Sequence, residues 1–185
     1  MLTKNEDTTT PFDHSYLVHL NEPLRKAVEI INASPFSMTI TELGSGAGHL
    51  INTLENTATG FNHYYAIDHI DMADYHSASV TFIKGDAVRY LENVDLECNL
   101  FIGINFLHHL KSLAQYQRCL RAMAMRLASN GYAILTLPSV DDREVDSGCI
   151  GLTRKEIERE FQDAGFVVTT DVTNHRERLY ILRCV

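Results

Sequence analysis

Hydrophobic positions along the chain switch repeatedly between a strand-like and a helix-like period, and these switches lay out its elements. Met38, Ile40 and Leu43 mark a β-prone run that leads into three glycines at every second position, Gly44, Gly46 and Gly48. Leu50, Ile51 and Leu54 then share one helical face. Upstream, Leu24, Ala27, Val28 and Ile31 predict a helix over 21–31, with Asn21 as N-cap and Pro23 in the first turn. Further strands are predicted at 63–67, 79–83, 100–104 and 132–137. The run at 100–104 is apolar throughout, as expected of a central parallel strand covered on both faces. A short helix through Val88 and Leu91 follows the third strand. A long helical pattern then passes through Phe106, Leu110, Leu113, Leu120, Met123, Ala124 and Leu127 to a stop at Asn130 and Gly131. Thr153 and Glu156 form a capping box ahead of Ile157, Phe161 and Ala164, and Gly165 ends that helix. The last two strands, 166–170 and 179–184, leave no room for a helix between them and should pair antiparallel.

Strands alternating with helices predict an α/β fold around a mostly parallel sheet, in which ligands sit at the carboxyl ends of the strands. The loops with chemical potential all follow strands: the glycine turn, Asp68, Asp86 with Ala87, residues 105–109, and Pro138 onward. Glycine permits positive φ and close approach of a ligand, and a helix entered after Gly48 turns unpaired N–H groups toward the turn. Asp68 ends the second strand some twenty residues later, where an acid commonly accepts hydrogen bonds from ribose hydroxyls. Bland readings stand beside these: Asp68 as a surface carboxylate and Asp86 as an N-cap. His14, Tyr16 and His19, ahead of the first helix, are either pocket-lining or packing residues.

Length and composition narrow the picture. At 185 residues the chain has room for one domain, read as 21–185, preceded by a segment 1–20, polar over 1–10, that is expected to be mobile and to serve as a substrate cover. The formal net charge is −8 with no Lys/Arg cluster, which argues against nucleic acid and favours a neutral or cationic partner. Cys98, Cys119, Cys149 and Cys184 are scattered, without CxxC spacing, so reduced thiols in a cytoplasmic setting are expected. No apolar leader and no bilayer-length run is seen, so neither processing nor membrane insertion is expected.

With these motifs in view, the chain resembles the class I S-adenosylmethionine-dependent methyltransferases across residues 21–185. The resemblance rests on Glu42-Leu43-Gly44-Ser45-Gly46-Ala47-Gly48, Asp68, Gly85-Asp86-Ala87, Leu107-His108-His109-Leu110, Leu127-Ala128-Ser129-Asn130-Gly131 and Ala164-Gly165-Phe166, in that order. It implies a Rossmann-like seven-stranded sheet, mostly parallel with the last strand antiparallel and helices on both faces. It also implies S-adenosylmethionine as cofactor and S-adenosylhomocysteine as product. The family's pattern carries over to Gly44, Ser45, Gly46 and Gly48 as the cradle of the methionyl part, Glu42 as the residue that orders the turn, and Asp68 as the ribose ligand. Asp86 and Ala87 would contact adenine, and Asn105 would complete the cofactor set. His69 stands where the family often has an apolar side chain against adenine, which leaves Ile70 for that task. Asn99 replaces a common aspartate, and the Asn-Pro-Pro-aromatic signature of amide methyltransferases is absent after Asn105.

Methyl transfer from a sulfonium is an in-line displacement governed by alignment and exclusion of water. A hydroxyl acceptor benefits from a general base, and His108 matches the base position of small-molecule O-methyltransferases; its other reading is a packing residue. His109 is expected to face elsewhere on a helix, and no third ligand at a metal-binding spacing accompanies the pair, so no metal is expected. The acceptor is expected to be a hydroxyl or amine of a small molecule, and a homodimer is compatible with the sequence. Two rival readings remain: an NAD(P)-dependent oxidoreductase, which shares glycines and an acid at this spacing, and a non-catalytic, partner-binding subunit of the methyltransferase fold.

Overall fold

A computed structural model of the chain describes residues 14–141, 148–174 and 177–184. Helix α1 spans His14–Ala33, and strand β1 (Thr39–Leu43) leads through the glycine turn into α2 (His49–Thr57). The pattern repeats with β2 (His63–Asp68), β3 (Val80–Lys84), α3 (Ala87–Asn93), β4 (Cys98–Ile104), α4 (Leu113–Arg126) and β5 (Leu127–Leu137). Helix α5 (Arg154–Asp163) and the hairpin β6 (Phe166–Asn174) and β7 (Glu177–Cys184) complete it. The seven strands form one sheet in the order β3-β2-β1-β4-β5-β7-β6. Pairing is parallel from β3 to β5, and β7 runs antiparallel to both β5 and β6. The expected Rossmann-like sheet with an antiparallel last strand is thus the observed one.

Each face of the sheet carries its own apolar layer. Ala27 and Ile31 of α1 and Leu50, Ile51 and Leu54 of α2 pack with Ile40, Leu100 and Ile102 on one side. On the other, Leu91 of α3, Leu120 and Met123 of α4 and Phe161 of α5 pack with Phe101, Leu135 and Tyr180. β4 contributes to both layers, which is why its run 100–104 is apolar throughout. Chain order reverses direction across the sheet between β1 and β4, and the crevice at such a point is where open α/β sheets bind ligands.

Three local readings are corrected. Helix α1 begins at His14, so residues 14–20 are helical and Pro23 lies inside the helix. Pro23 cannot donate to the carbonyl a turn earlier, yet it falls on the buried stripe with Leu20, Ala27 and Ile31, and that packing carries the helix through it. Residues 1–13 and the side chains of His14, Tyr16 and His19 lie outside what is described. The long helix does not begin at Phe106: a single 3-10 turn, Leu107–His109, precedes α4, which Ser112 caps by accepting from the Gln115 N–H at 3.2 Å. That helix ends at Arg126, before Asn130 and Gly131, because Leu127 already pairs with Cys98 of β4.

The capping box of α5 is formed as read: Thr153 Oγ1 accepts from the Glu156 N–H and the Glu156 carboxylate accepts from the Thr153 N–H. Phe161, fully buried, meets Tyr180 edge-on at 5.1 Å between ring centroids. Phe161→Ala should cost about 3–5 kcal/mol and Thr153→Ala about 1 kcal/mol in urea unfolding. Equal losses from the two would contradict the view that the α5 side layer, more than the cap, holds this end of the sheet.

Candidate functional site

The ends of four adjacent strands enclose a cavity of about 490 Å³, inside the range of about 300–1,000 Å³ usual for small-molecule sites. Gly44 comes from the end of β1, Asp68 and His69 from β2, Gly85 to Ala87 from β3, and Asn105 and Phe106 from β4. His109, Lys111 and Gln115 close the side nearest α4.

The glycine turn is held in shape from both sides. Gly44 and Ser45 donate to the Ile67 carbonyl at 2.8 and 3.2 Å, and Gly48 donates to the Ser45 carbonyl at 2.8 Å. Gly44, Gly46 and Gly48 all have positive φ, between 51° and 70°, which L side chains rarely adopt. Their surroundings differ. A Cβ on Gly44 would meet the Phe106 ring at 2.6 Å and one on Gly48 the His76 ring at 2.6 Å, whereas nothing lies within 4 Å of a Cβ on Gly46. The Ser45 hydroxyl is buried there without a hydrogen-bond partner among the described residues.

Asp68 fastens this turn to the second strand. Its Oδ2 accepts from the Gly46 N–H at 2.9 Å and its Oδ1 from the Ile70 N–H at 2.9 Å, with His69 Nδ1 3.2 Å from Oδ1. Its own carbonyl accepts from the Gly85 N–H at 2.8 Å, so the ends of β1, β2 and β3 are tied at one residue. The Asp86 carboxylate caps α3, accepting from Val88 and Arg89, and also borders the cavity. Asp86 is therefore the N-cap of α3 and, at the same time, a cavity-lining carboxylate. Asn105 has φ of 53°, a left-handed conformation that asparagine tolerates. Its N–H donates to Thr136 Oγ1 at 3.0 Å, which fixes the turn out of β4.

Glu42 lies beneath the turn and not in the cavity. It is buried, and its Oε2 accepts from the Ile51 N–H at 3.2 Å, in the first turn of α2. Burial pushes its carboxyl up to about 8; the Ile51 N–H works against that shift and the nearby Asp68 charge adds to it. Ser45, Gly46 and Gly48 sit at the turn, outside the cavity wall, and Ile70 is half-exposed and also outside it. Asn99 accepts from the Thr39 N–H at 2.7 Å and so has a structural task at the start of β1.

The histidine pair is arranged differently from the helical expectation. In the 3-10 turn His108 points inward and is buried, while His109 is exposed and borders the cavity. Their rings lie 4.1 Å apart between centroids. Cys149, forty residues further along the chain, brings its Sγ to 3.3 Å from His109 Nδ1. The expectation of no metal rested on spacing along the chain, and the fold brings Cys149, a side chain of metal-ligating type, beside the pair. Lys111 and Gln115 were missed as cavity residues because residues 106–127 read as one helix, which also turned His109 away from the site. The signal was present in Ser112-Leu113-Ala114-Gln115, which has the spacing of a capping box and starts α4 later: Ser112 Oγ accepts from the Gln115 N–H, and Gln115 Oε1 accepts from the Lys111 N–H at 3.0 Å.

The raised Glu42 makes stability pH-dependent. The unfolded chain releases this proton near pH 4.5 and the folded chain only near pH 8, so between them the folded state holds more protons. Stability should therefore fall as pH rises through that window, by about 1.4 kcal/mol per pH unit from this group. Glu42→Gln keeps an acceptor for Ile51 and has no charge to bury, so its melting temperature relative to wild type should rise steadily from pH 4.5 to pH 8. A constant difference across that window would contradict the assignment.

No protein-family model matches the chain, and no curated protein sequence matches it. Solved structures do. A S-adenosylmethionine-dependent methyltransferase from Clostridium acetobutylicum aligns with a TM-score of 0.70 at 14% identity, covering 93% of each chain. DhpI in complex with SAH aligns with a TM-score of 0.67 at 15% identity, over 94% of this chain and 89% of DhpI. The mitomycin 7-O-methyltransferase MmcR aligns with a TM-score of 0.66 at 15% identity over 92% of this chain, which spans 60% of MmcR. The chain has the fold of the class I S-adenosylmethionine-dependent methyltransferases.

Proposed function

We propose that the protein is a transferase that uses S-adenosylmethionine to methylate a hydroxyl or amine of a small molecule, releasing S-adenosylhomocysteine. One observation carries the reading: the Gly46 N–H is given to the Asp68 carboxylate, so the turn offers the cavity an acid and not a row of free amides. A dinucleotide needs those amides for its diphosphate. A sulfonium with a ribose diol is served better by Asp68, with the negative Asp86 on the same cavity. The likeness to solved methyltransferases over nearly the whole chain supports the same choice. Among the described residues no helix is long and apolar enough to cross a membrane, which is compatible with a water-borne acceptor.

S-adenosylmethionine would supply an electrophilic methyl group at this cavity. The chain's residues divide the remaining work. Asp68 accepts from ribose hydroxyls, the open space at Gly46 admits the methionyl part, the buried Ser45 hydroxyl offers a partner beside it, and Asp86 with Ala87 borders adenine. Phe106, packed on Gly44, excludes water from the floor between the two ligands. His109, on the cavity where His108 is not, takes the acceptor's proton at Nε2, since its Nδ1 faces Cys149.

In a methyl-transfer assay with hydroxyl acceptors, His109→Ala should lower kcat by about 10²–10⁴-fold. It should also flatten the pH profile and leave S-adenosylmethionine affinity unchanged. Asp68→Ala should weaken that affinity by about tenfold to a hundredfold. Full activity of His109→Ala at every pH would reject the base, and an unchanged affinity of Asp68→Ala would reject the site.

A further inference from the structure

We propose that His108, His109 and Cys149 form a binding site for a zinc ion at the edge of the cavity. Each offers a ligand atom, and the three atoms lie within 4.8 Å of one another. Around a tetrahedral zinc, two nitrogen ligands are separated by about 3.3 Å and a nitrogen and a sulfur by about 3.5 Å, given bonds of about 2.0 and 2.3 Å. The Cys149 Sγ to His109 Nδ1 distance of 3.3 Å lies within about 0.2 Å of that value, and His108 offers its ligand atom within 4.8 Å of both.

The backbone holds the three together independently of any metal. The 3-10 turn stacks the two imidazoles, with rings tilted by 38° at 4.1 Å. The Ile150 N–H donates to the His108 carbonyl at 2.7 Å, which pins the residue after Cys149 against the same turn. Val140 donates to the Leu152 carbonyl at 3.0 Å and closes the base of the loop that carries Cys149. The donor set is two imidazoles and one thiol with no carboxylate, which suits zinc and opposes magnesium or calcium. Three protein ligands leave a fourth position for water or a substrate atom. On binding, the Cys149 thiol gives its proton to solvent and the thiolate and both neutral imidazoles donate lone pairs, with no change of oxidation state.

The site does not rest on methyl transfer, but it bears on it. A zinc ion on His109 Nδ1 fixes the proton on Nε2, so that nitrogen has no lone pair for an acceptor proton. Occupied and base-competent states of His109 are then alternatives.

Cobalt(II) titration of the full-length protein reads the site without an activity assay. Wild type should show a thiolate-to-cobalt charge-transfer band that saturates at a single equivalent and is abolished by a single equivalent of zinc. Cys149→Ser should lose the band, and so should His109→Gln, an exposed position where the fold is least at risk. Cys184→Ser, which removes an exposed thiol elsewhere, should keep it. Far-UV circular dichroism matching wild type certifies each variant as folded. Absence of the band in wild type, or its survival in folded Cys149→Ser or His109→Gln, overturns the proposal.

Discussion

The carboxylate of Asp68 is the contact on which the cavity depends. It accepts from Gly46 on one side and Ile70 on the other, while the carbonyl of the same residue accepts from Gly85. Three strand ends are joined through one residue, and the glycine turn is drawn toward β2 instead of opening toward solvent. A charge-assisted bond of this kind is worth more than a neutral one, and its acceptor retains lone pairs for a ligand's hydroxyls. Glu42 is the counterpart below the turn. A second ionised carboxyl so close to Asp68 would be costly in a buried place, and the chain avoids the cost by keeping Glu42 protonated through neutral pH. The turn is thus braced by two acids, Asp68 from β2 and Glu42 from beneath.

This arrangement also selects among ligands that share a fold plan. Glycines after a first strand and an acid after a second occur in both dinucleotide and S-adenosylmethionine sites, so spacing alone leaves them equal. The difference lies in where the amide hydrogens go. Gly46 gives its hydrogen to Asp68, Gly48 to the Ser45 carbonyl, and Gly44 and Ser45 to the Ile67 carbonyl, so four of the turn's donors are spent within the protein. Asp68 and Asp86 outnumber Lys111 on the wall of the crevice, and on the proposed reading that balance suits a sulfonium better than a diphosphate.

Much of this was legible in the sequence. The period switches gave the strands, the apolar run 100–104 of β4 marked the centre, and the lack of room for a helix after Thr170 marked the closing hairpin. The glycine turn and Asp68 declared themselves by residue type, because positive φ and a carboxylate at a strand end have few substitutes. What stayed hidden depended on tertiary packing. Pro23 reads as a helix start, yet the buried stripe of α1 carries the helix past it. His108 and His109 are indistinguishable on a periodic pattern, and only the 3-10 turn before Ser112 decides which ring faces the cavity. Cys149 carries no local signal at all, since its neighbours in space are forty residues away.

The central claim is that the turn braced by Asp68 binds a sulfonium nucleoside and not a dinucleotide. Calorimetric titration of the protein with S-adenosylmethionine, S-adenosylhomocysteine and NADH in parallel tests it most directly. The account predicts saturable binding of the first two and none of NADH. Binding of NADH alone would contradict it.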